Sequence, residues 1–324
     1  MTRAARAHPA VDVTGQVASR WFGLDVASVQ RVGGGAVNEV HRVTSGGRAH
    51  FLRRYRDADA WAVDREHRLL RHIGGAVPVP APLPLPDGRT SVEAEGSVWA
   101  MFAAAEGAQV AADDLTAEQA AAAGATLARL HRATADMPQA GFGAWSLSWD
   151  GPRWRARLAT VLAAIDGAPI DDETDRWGRE RVQAQIDWLG DPACAHRYSP
   201  AFPGQVIHGD YQPANLFFVG AEVSGIIDWD GARVMPRAFE VARACFFLAR
   251  MQPELTFAFL EGYAGVTRLD RGELEDGARA WGCFADHHVW PVEEAYLNGN
   301  AAAARYIWRR PFAPFAEEWR ALGF

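Results

Sequence analysis

The sequence predicts an α+β protein of two lobes, a smaller β-rich one followed by a larger, mainly helical one. Three observations carry this reading. The chain has 324 residues, enough to bury more than one core. Strand and turn signals gather in its first third. From residue 115 onward apolar residues recur chiefly at helical spacing, broken by a stretch of short strands at 206–233.

In chain order, residues 12–30 read as a short helix and a lead-in, with Trp21 and Phe22 as packing residues. Residues 37–43 and 50–54 read as strands joined by the turn Ser45-Gly46-Gly47. Alternation puts Phe51 and Arg53 on one face of the second strand and Leu52 and Arg54 on the other. Just upstream, Gly33, Gly34 and Gly35 let the backbone approach a ligand closely, with amides able to face phosphate; a plain turn has the same composition. Residues 58–73 carry Trp61, Leu69, Leu70 and Ile73 on a helical face, with Glu66 on the same helix. VPVPAPLPLPDGRT is proline-punctuated and extended, and 98–102 reads as the second strand of a hairpin. A helix over 115–133 begins at Thr116, with Glu118 and Gln119 as its cap signal and His131 as a packed histidine. A loop rich in Gly and Trp (136–152) leads to helices near 152–165 and 173–189. In the second, Asp171, Asp172, Glu173 and Asp175 read as a solvated face. Phe239, Ala242, Phe246, Phe247 and Met251 mark a buried helix. Further helices are expected over 253–264, over 270–297 with an interruption at Pro291, and over 300–322.

Composition excludes several chemistries. All 33 residues counted as Lys+Arg are arginine, so lysine Schiff bases and a Walker-type P-loop are out. A formal charge of −7 argues against a general nucleic-acid binder. Cys194, Cys245 and Cys283 have no paired spacing, and the spacing of Cys283, Asp286, His287 and His288 is poor for zinc. No apolar run is long enough to span a bilayer, and the first residues lack the apolar core of a signal peptide. A cytoplasmic location is the expectation.

The stretch VIHGDYQPANLFFVGAEVSGIIDWDGAR, 206–233, concentrates the chemistry. A short apolar run at 205–207 delivers His208, Gly209 and Asp210 into a loop, which Pro213 keeps from becoming a helix. Strands at 216–219 and 223–227 flank a turn at Gly220, and the second ends at Asp228. Asp210, Asn215 and Asp228 can therefore face one cleft. Those residue types suit phosphoryl transfer from a metal-bound nucleotide, where catalysis is mostly positioning and charge neutralisation. Magnesium takes hard oxygen ligands, and Asp210 is placed to accept the proton of an attacking hydroxyl.

These residues resemble the catalytic and metal-binding motifs of the aminoglycoside phosphotransferase-like superfamily, which includes choline, homoserine and methylthioribose kinases and shares its architecture with protein kinases. The resemblance implies a bilobal protein-kinase-like fold, with an N-lobe over 1–105 and a C-lobe over 106–324. It implies ATP and Mg2+ as cofactors, and transfer of the γ-phosphate to a hydroxyl of a small molecule such as an amino alcohol, aminoglycoside, sugar or homoserine. Asp210 would be the base, Asn215 and Asp228 the metal ligands, and His208 a structural support. Gly33, Gly34 and Gly35 match the glycine-rich loop. Arg53 stands where the family places a Lys or Arg on the nucleotide phosphates, with Glu66 as its ion-pair partner and Met101 near the adenine-binding hinge. Glu240 stands where an Asp often bonds back to the catalytic loop. Gly209 and Trp229 differ from the protein-kinase motifs and favour the small-molecule branch. Family members take acceptor-site residues from the region of 281–296, which makes Asp286, His287, Trp290 and Glu293 candidates. Aromatics with carboxylates can hold an ammonium group, though core packing and solvent account for the same residues. A bacterial Ser/Thr protein kinase and a catalytically inactive nucleotide-binding module stay open as alternatives.

Overall fold

The computed structural model describes residues 13–32, 38–56, 59–307 and 311–324. Gly33, Gly34 and Gly35 lie outside them. After α1 (Val13–Phe22), the chain builds a five-stranded antiparallel sheet from β1 (Val26–Val32), β2 (Glu39–Ser45), β3 (Arg48–Tyr55), β4 (Val92–Ala94) and β5 (Ser97–Ala103), in the order β1-β2-β3-β5-β4. Residues 12–30 therefore hold more than a helix and lead-in. Val26, Val29 and Val32 are β-branched and stiff at χ1, which suits an edge strand better than a helix. Between β3 and β4 runs α2 (Ala60–Ile73), capped by Asp59, whose side chain accepts from the Ala62 amide at 2.8 Å.

Strand alternation divides this sheet into two working faces. One buries Val43, Leu52, Trp99 and Met101 beneath Val17 and Ala18 of α1. The other packs Tyr55, Val98 and Ala100 on Val63 of α2. Arg53 lies opposite Ala100 in register, on the α2 face.

The rest is mainly helical: α3 (Ala117–Thr134), α4 (Gly151–Gly167), α5 (Asp172–Trp188), α6 (Arg237–Phe247), α7 (Pro253–Ala264), α8 (Arg271–Ala285), α9 (Trp290–Tyr296) and α10 (Phe315–Ala321). Two small antiparallel ribbons interrupt it, β6 (Gln205–Ile207) with β9 (Arg233–Met235) and β7 (Leu216–Val219) with β8 (Glu222–Ile226). The three-residue β9 is too short to leave a periodic signal. Thr116 and Gln119 form a reciprocal capping box at the start of α3. Helices α3 and α7 cross closely because glycines sit at the contact. A Cβ at Gly124 would stand 1.9 Å from the Phe259 carbonyl, and one at Gly262 2.0 Å from that of Ala121.

The helix expected over 270–297 is two helices. Pro291 cannot sit inside a helix without removing a hydrogen bond, and instead occupies the first turn of α9. Likewise 300–322 holds a 3₁₀ turn at Ala301–Tyr306 and the short α10, separated by Pro311 and Pro314. No helix among the described residues is long and apolar enough to cross a membrane.

Candidate active site

The loop after β6 is held by buried polar groups. Glu240, on α6, is fully buried and accepts from the amides of His208 at 3.1 Å and Gly209 at 2.5 Å. His131 of α3 bonds the same carboxylate at 2.9 Å and the Tyr263 hydroxyl at 2.8 Å. Burial pushes the Glu240 carboxyl up, but the His131 hydrogen bond, the two nearby imidazoles and the Gly209 amide outweigh it and hold it below the usual carboxylate range. His208 accepts at Nδ1 from the Asp210 amide at 3.0 Å, so Nε2 carries the proton that it donates to the Ile227 carbonyl at 2.9 Å. His208 thus ties the loop to the end of β8. Gly209 has φ +81°, and a Cβ there would lie 2.1 Å from the Gly231 carbonyl oxygen. A side chain at 209 is excluded on both counts.

Asp210 emerges from this frame partly exposed. Its Oδ2 accepts from Asn215 Nδ2 at 2.7 Å and Gln212 Nε2 at 2.8 Å, and its Oδ1 accepts from Arg243. Asn215 also donates to the Asp210 carbonyl at 2.8 Å. Both partners are acceptors, so the amide nitrogen faces Asp210 and the amide oxygen is the atom left to a cation.

Asp228 follows β8 with φ 66° and ψ 66°, a left-handed conformation that costs about 1–3 kcal/mol in a non-glycine residue. Buried Trp229 behind it donates to the Ile226 carbonyl at 3.0 Å and anchors the turn. From the sheet, Arg53 reaches Glu66 at 3.2 Å, Asp228 at 3.4 Å, and Asp230 more closely still. Asn38 also donates to Asp230. Burial works against the Arg53 charge, yet the carboxylates around it raise its affinity for the proton. Burial also drives the Glu66 carboxyl upward, and Asp230 adds to this against the pull of Arg53. Asp228 is shifted up as well, by desolvation and by Asp230 and Asp210. Arg53, Glu66 and Asp228 are all shifted upward for one reason. Glu66, Asp228 and Asp230 share a single guanidinium, three negative charges against one positive. A divalent cation held by hard oxygens fits that excess and the Asn215 amide oxygen.

The structure thus brings Asp210, Asn215, Asp228, Arg53, Glu66, His208 and Glu240 together. Met101 lies opposite Leu52 in register, on the α1 face of the sheet, fully buried; its carbonyl accepts from the Leu83 amide at 2.7 Å. Its side chain does not face the cleft. Asp286, His287, Trp290 and Glu293 do not converge. Asp286 accepts from Trp188 Nε1 at 2.8 Å and the Phe315 amide at 3.0 Å, and burial pushes it up to about 6. Glu293 is paired through both oxygens with Arg157. Trp290 is exposed beside Tyr306, and His287 stacks on Trp149. The neighbour His288 is the one that feels Asp210 and Arg243, together with Arg181; burial and those cations push it down to about 4.

Sequence reasoning missed Arg243, Arg233 and Asp230. Arg243 is buried, lies over Phe247 at 4.6 Å, and its Nη1 has no hydrogen-bond partner among the described residues. Arg233 lies over Trp145 at 3.7 Å; burial, then repulsion from Arg243, push it down to about 10. One signal for Arg243 was available: three residues after Glu240, it shares a helical face with a residue already tied to the loop.

A small antiparallel sheet above a helical lobe, joined at this loop, is the fold of the protein-kinase-like phosphotransferases. The chain belongs to the phosphotransferase enzyme family, whose sequence profile matches residues 28–281. A homoserine kinase of Beijerinckia indica subsp. indica is 33% identical over 176 residues, 51% of this chain and 48% of that protein. One from Neisseria meningitidis serogroup B is 31% identical over 218 residues, 63% of each. The chain thus spans between about half and just under two thirds of these relatives. Among solved structures, spectinomycin phosphotransferase in complex with ADP and spectinomycin superposes with a TM-score of 0.70 at 16% identity, covering 95% of this chain and 97% of that one. A microcompartment-associated aminopropanol kinase gives 0.59 at 19% identity, covering 96% and 98%. Both share the fold.

Proposed function

We propose that this protein transfers the γ-phosphate of ATP, with Mg2+, to a hydroxyl of a small molecule that carries a carboxylate, as homoserine does. The nucleotide would lie between an N-lobe of residues 1–105 and a C-lobe of 106–324. Asn215 and Asp228 would hold the magnesium, which when bound neutralises charge on the phosphates. Arg53 would turn from Asp228 and Asp230 to a phosphate, in a forked rather than a point-charge contact. The acceptor oxygen attacks the γ-phosphorus as the bond to the departing ADP oxygen breaks. The hydroxyl proton passes to Asp210, which Asn215, Gln212 and Arg243 hold in place. Glu240 and His131 keep the loop rigid beneath it.

The observation that carries the choice of acceptor is the buried, unsatisfied Arg243 Nη1 beside Asp210, with Arg233 close by. A buried donor without a partner costs about 1–3 kcal/mol, and an acceptor carboxylate satisfies it. This setting disfavours a polycation, and the carboxylates of 286–293 that would attract one are engaged elsewhere. The homoserine kinase relatives support the same reading.

The test is an ATP-consumption assay comparing L-homoserine, aminopropanol and spectinomycin. L-homoserine is expected to be preferred, and Arg243→Gln should raise its KM about 10- to 100-fold, the worth of a hydrogen bond to a charged group. Preferred turnover of spectinomycin, or an unchanged KM in the variant, would overturn the assignment.

A further inference from the structure

Outside the phosphoryl-transfer site, soft and borderline donors from two distant parts of the chain meet at the carboxy-terminal end of α8. Cys194 and His196 lie in the connection between α5 and β6, and Cys283 and His287 are one helical turn apart. Cys194 Sγ and ring nitrogens of His196 and His287 lie within 4.8 Å of one another. His196 Nδ1 and His287 Nε2 are 3.0 Å apart, close to the roughly 3.3 Å between two nitrogens each about 2.0–2.1 Å from one tetrahedral zinc. Cys283 Sγ donates at 3.2 Å to the carbonyl of Ala195, the residue between Cys194 and His196.

The rings are already oriented. His287 Nδ1 lies 2.7 Å from the Cys283 carbonyl. A carbonyl only accepts, so Nδ1 carries the proton and Nε2 presents its lone pair to His196. A histidine with one N–H on a backbone carbonyl and the other nitrogen open to a cation has the usual orientation of a zinc ligand. Trp149 stacks on the same ring at 4.4 Å and 11°. On the other side, a Cβ at Gly151 would stand 2.4 Å from His196 Nε2, so glycine makes room for that ring. Cys194, Cys283 and His287 are all buried.

We propose that Cys194, His196, Cys283 and His287 form a structural zinc site. In the metal-free arrangement a proton joins His196 Nδ1 to His287 Nε2. On binding zinc that proton moves to His196 Nε2, and the two thiols release theirs to water. Cys283 leaves the Ala195 carbonyl to complete a closed, four-coordinate set. The ion would pin the α5–β6 connection to the end of α8, where Gln185 Nε2 already bonds the Asp286 carbonyl at 2.8 Å. Neither half of the site reads as zinc-binding alone, because the partner half is 91 residues away at its closest histidine pair.

The test uses the full chain purified under reducing conditions. Elemental analysis is expected to find about one zinc per chain. After chelation, added cobalt(II) should give the strong visible bands of tetrahedral coordination and a thiolate charge-transfer band. Cys194→Ser and His287→Gln should lose these bands, whereas Cys245→Ala, whose thiol lies in the α6 core, should keep them. Should the ligand variants fail to fold, the wild type decides: chelator is expected to lower its Tm and zinc to restore it. Zinc far below stoichiometry with no charge-transfer band, or bands unchanged in Cys194→Ser, would overturn the proposal and leave the four groups as a hydrogen-bonded core.

Discussion

Asp210 is held by three side-chain donors, Asn215, Gln212 and Arg243, so its position does not depend on substrate. An Asp210→Asn substitution keeps the shape and removes the proton acceptor. Transfer is expected to fall about 10²- to 10⁴-fold, while magnesium-dependent ATP binding, followed by calorimetry, stays within a few-fold of wild type. Full turnover in that variant would remove Asp210 as the base. Arg53 is the corresponding test on the nucleotide side. Arg53→Met removes the guanidinium that Glu66 positions, and ATP affinity is expected to drop about 10- to 100-fold, as for a lost charge-assisted hydrogen bond. Asp210 and Arg53 could be singled out in the sequence, Asp210 by a loop after a short strand and Arg53 by its match to the strand position that the family resemblance implies. Asp230 could not, and Arg243 only through its spacing from Glu240, since their partners lie on other elements.

The α3–α7 crossing links packing to chemistry at the scale of elements. Gly124 and Gly262 bring the backbones together. That approach seats His131 of α3 against Tyr263 of α7 and Glu240 of α6, and Glu240 holds the loop that carries Asp210. Gly124→Ala places a methyl group where the Phe259 carbonyl lies. Overpacking of this kind costs about 1–3 kcal/mol or more, readable as a lowered urea midpoint. Turnover is expected to fall with it, because the His131–Glu240 contact moves. A midpoint equal to wild type would show that the helices tolerate separation. Hydrophobic periodicity identified α3 and α7 but not their approach, since a glycine in a helical pattern signals a close neighbour without naming it. The break between α8 and α9 was half legible: Pro291 marked the interruption, but the placing of α8's end at Ala285 came from packing.

At the scale of the molecule, Leu69, Leu70 and Ile73 of α2 share an apolar core with α3 and β6, and polar contacts join the sheet to the turn after β8. Asn38 and Arg53 of the sheet both engage Asp230, and Arg53 also reaches Asp228. Stability also depends on burying neutral histidine. His67 is fully buried, bonds Thr90 Oγ1 at 2.7 Å, and is pushed down to about 4, by burial first and then by Arg71. With the folded value below the ordinary 6.5, the unfolded chain takes the proton first. The His67 contribution is complete above that ordinary value and is lost as pH falls toward the folded one. Between about pH 7 and pH 5 it amounts to roughly 2 kcal/mol. Urea unfolding at the two pH values measures it, and His67→Gln is expected to remove that part of the slope.

The sequence by itself determined the lobed α+β plan and the convergence of Asp210, Asn215 and Asp228. Those follow from alternation, from helical period, and from a loop and hairpin whose Gly209, Pro213 and Gly220 act within a few residues of one another. Only the tertiary structure decided that Arg53 is shared among three carboxylates, that Arg243 stands against Asp210, and that Asp286, His287, Trp290 and Glu293 each take separate partners. Those outcomes pair groups far apart in the chain. Buried charges and donors take the partners that packing brings near, and local spacing carries no record of that choice.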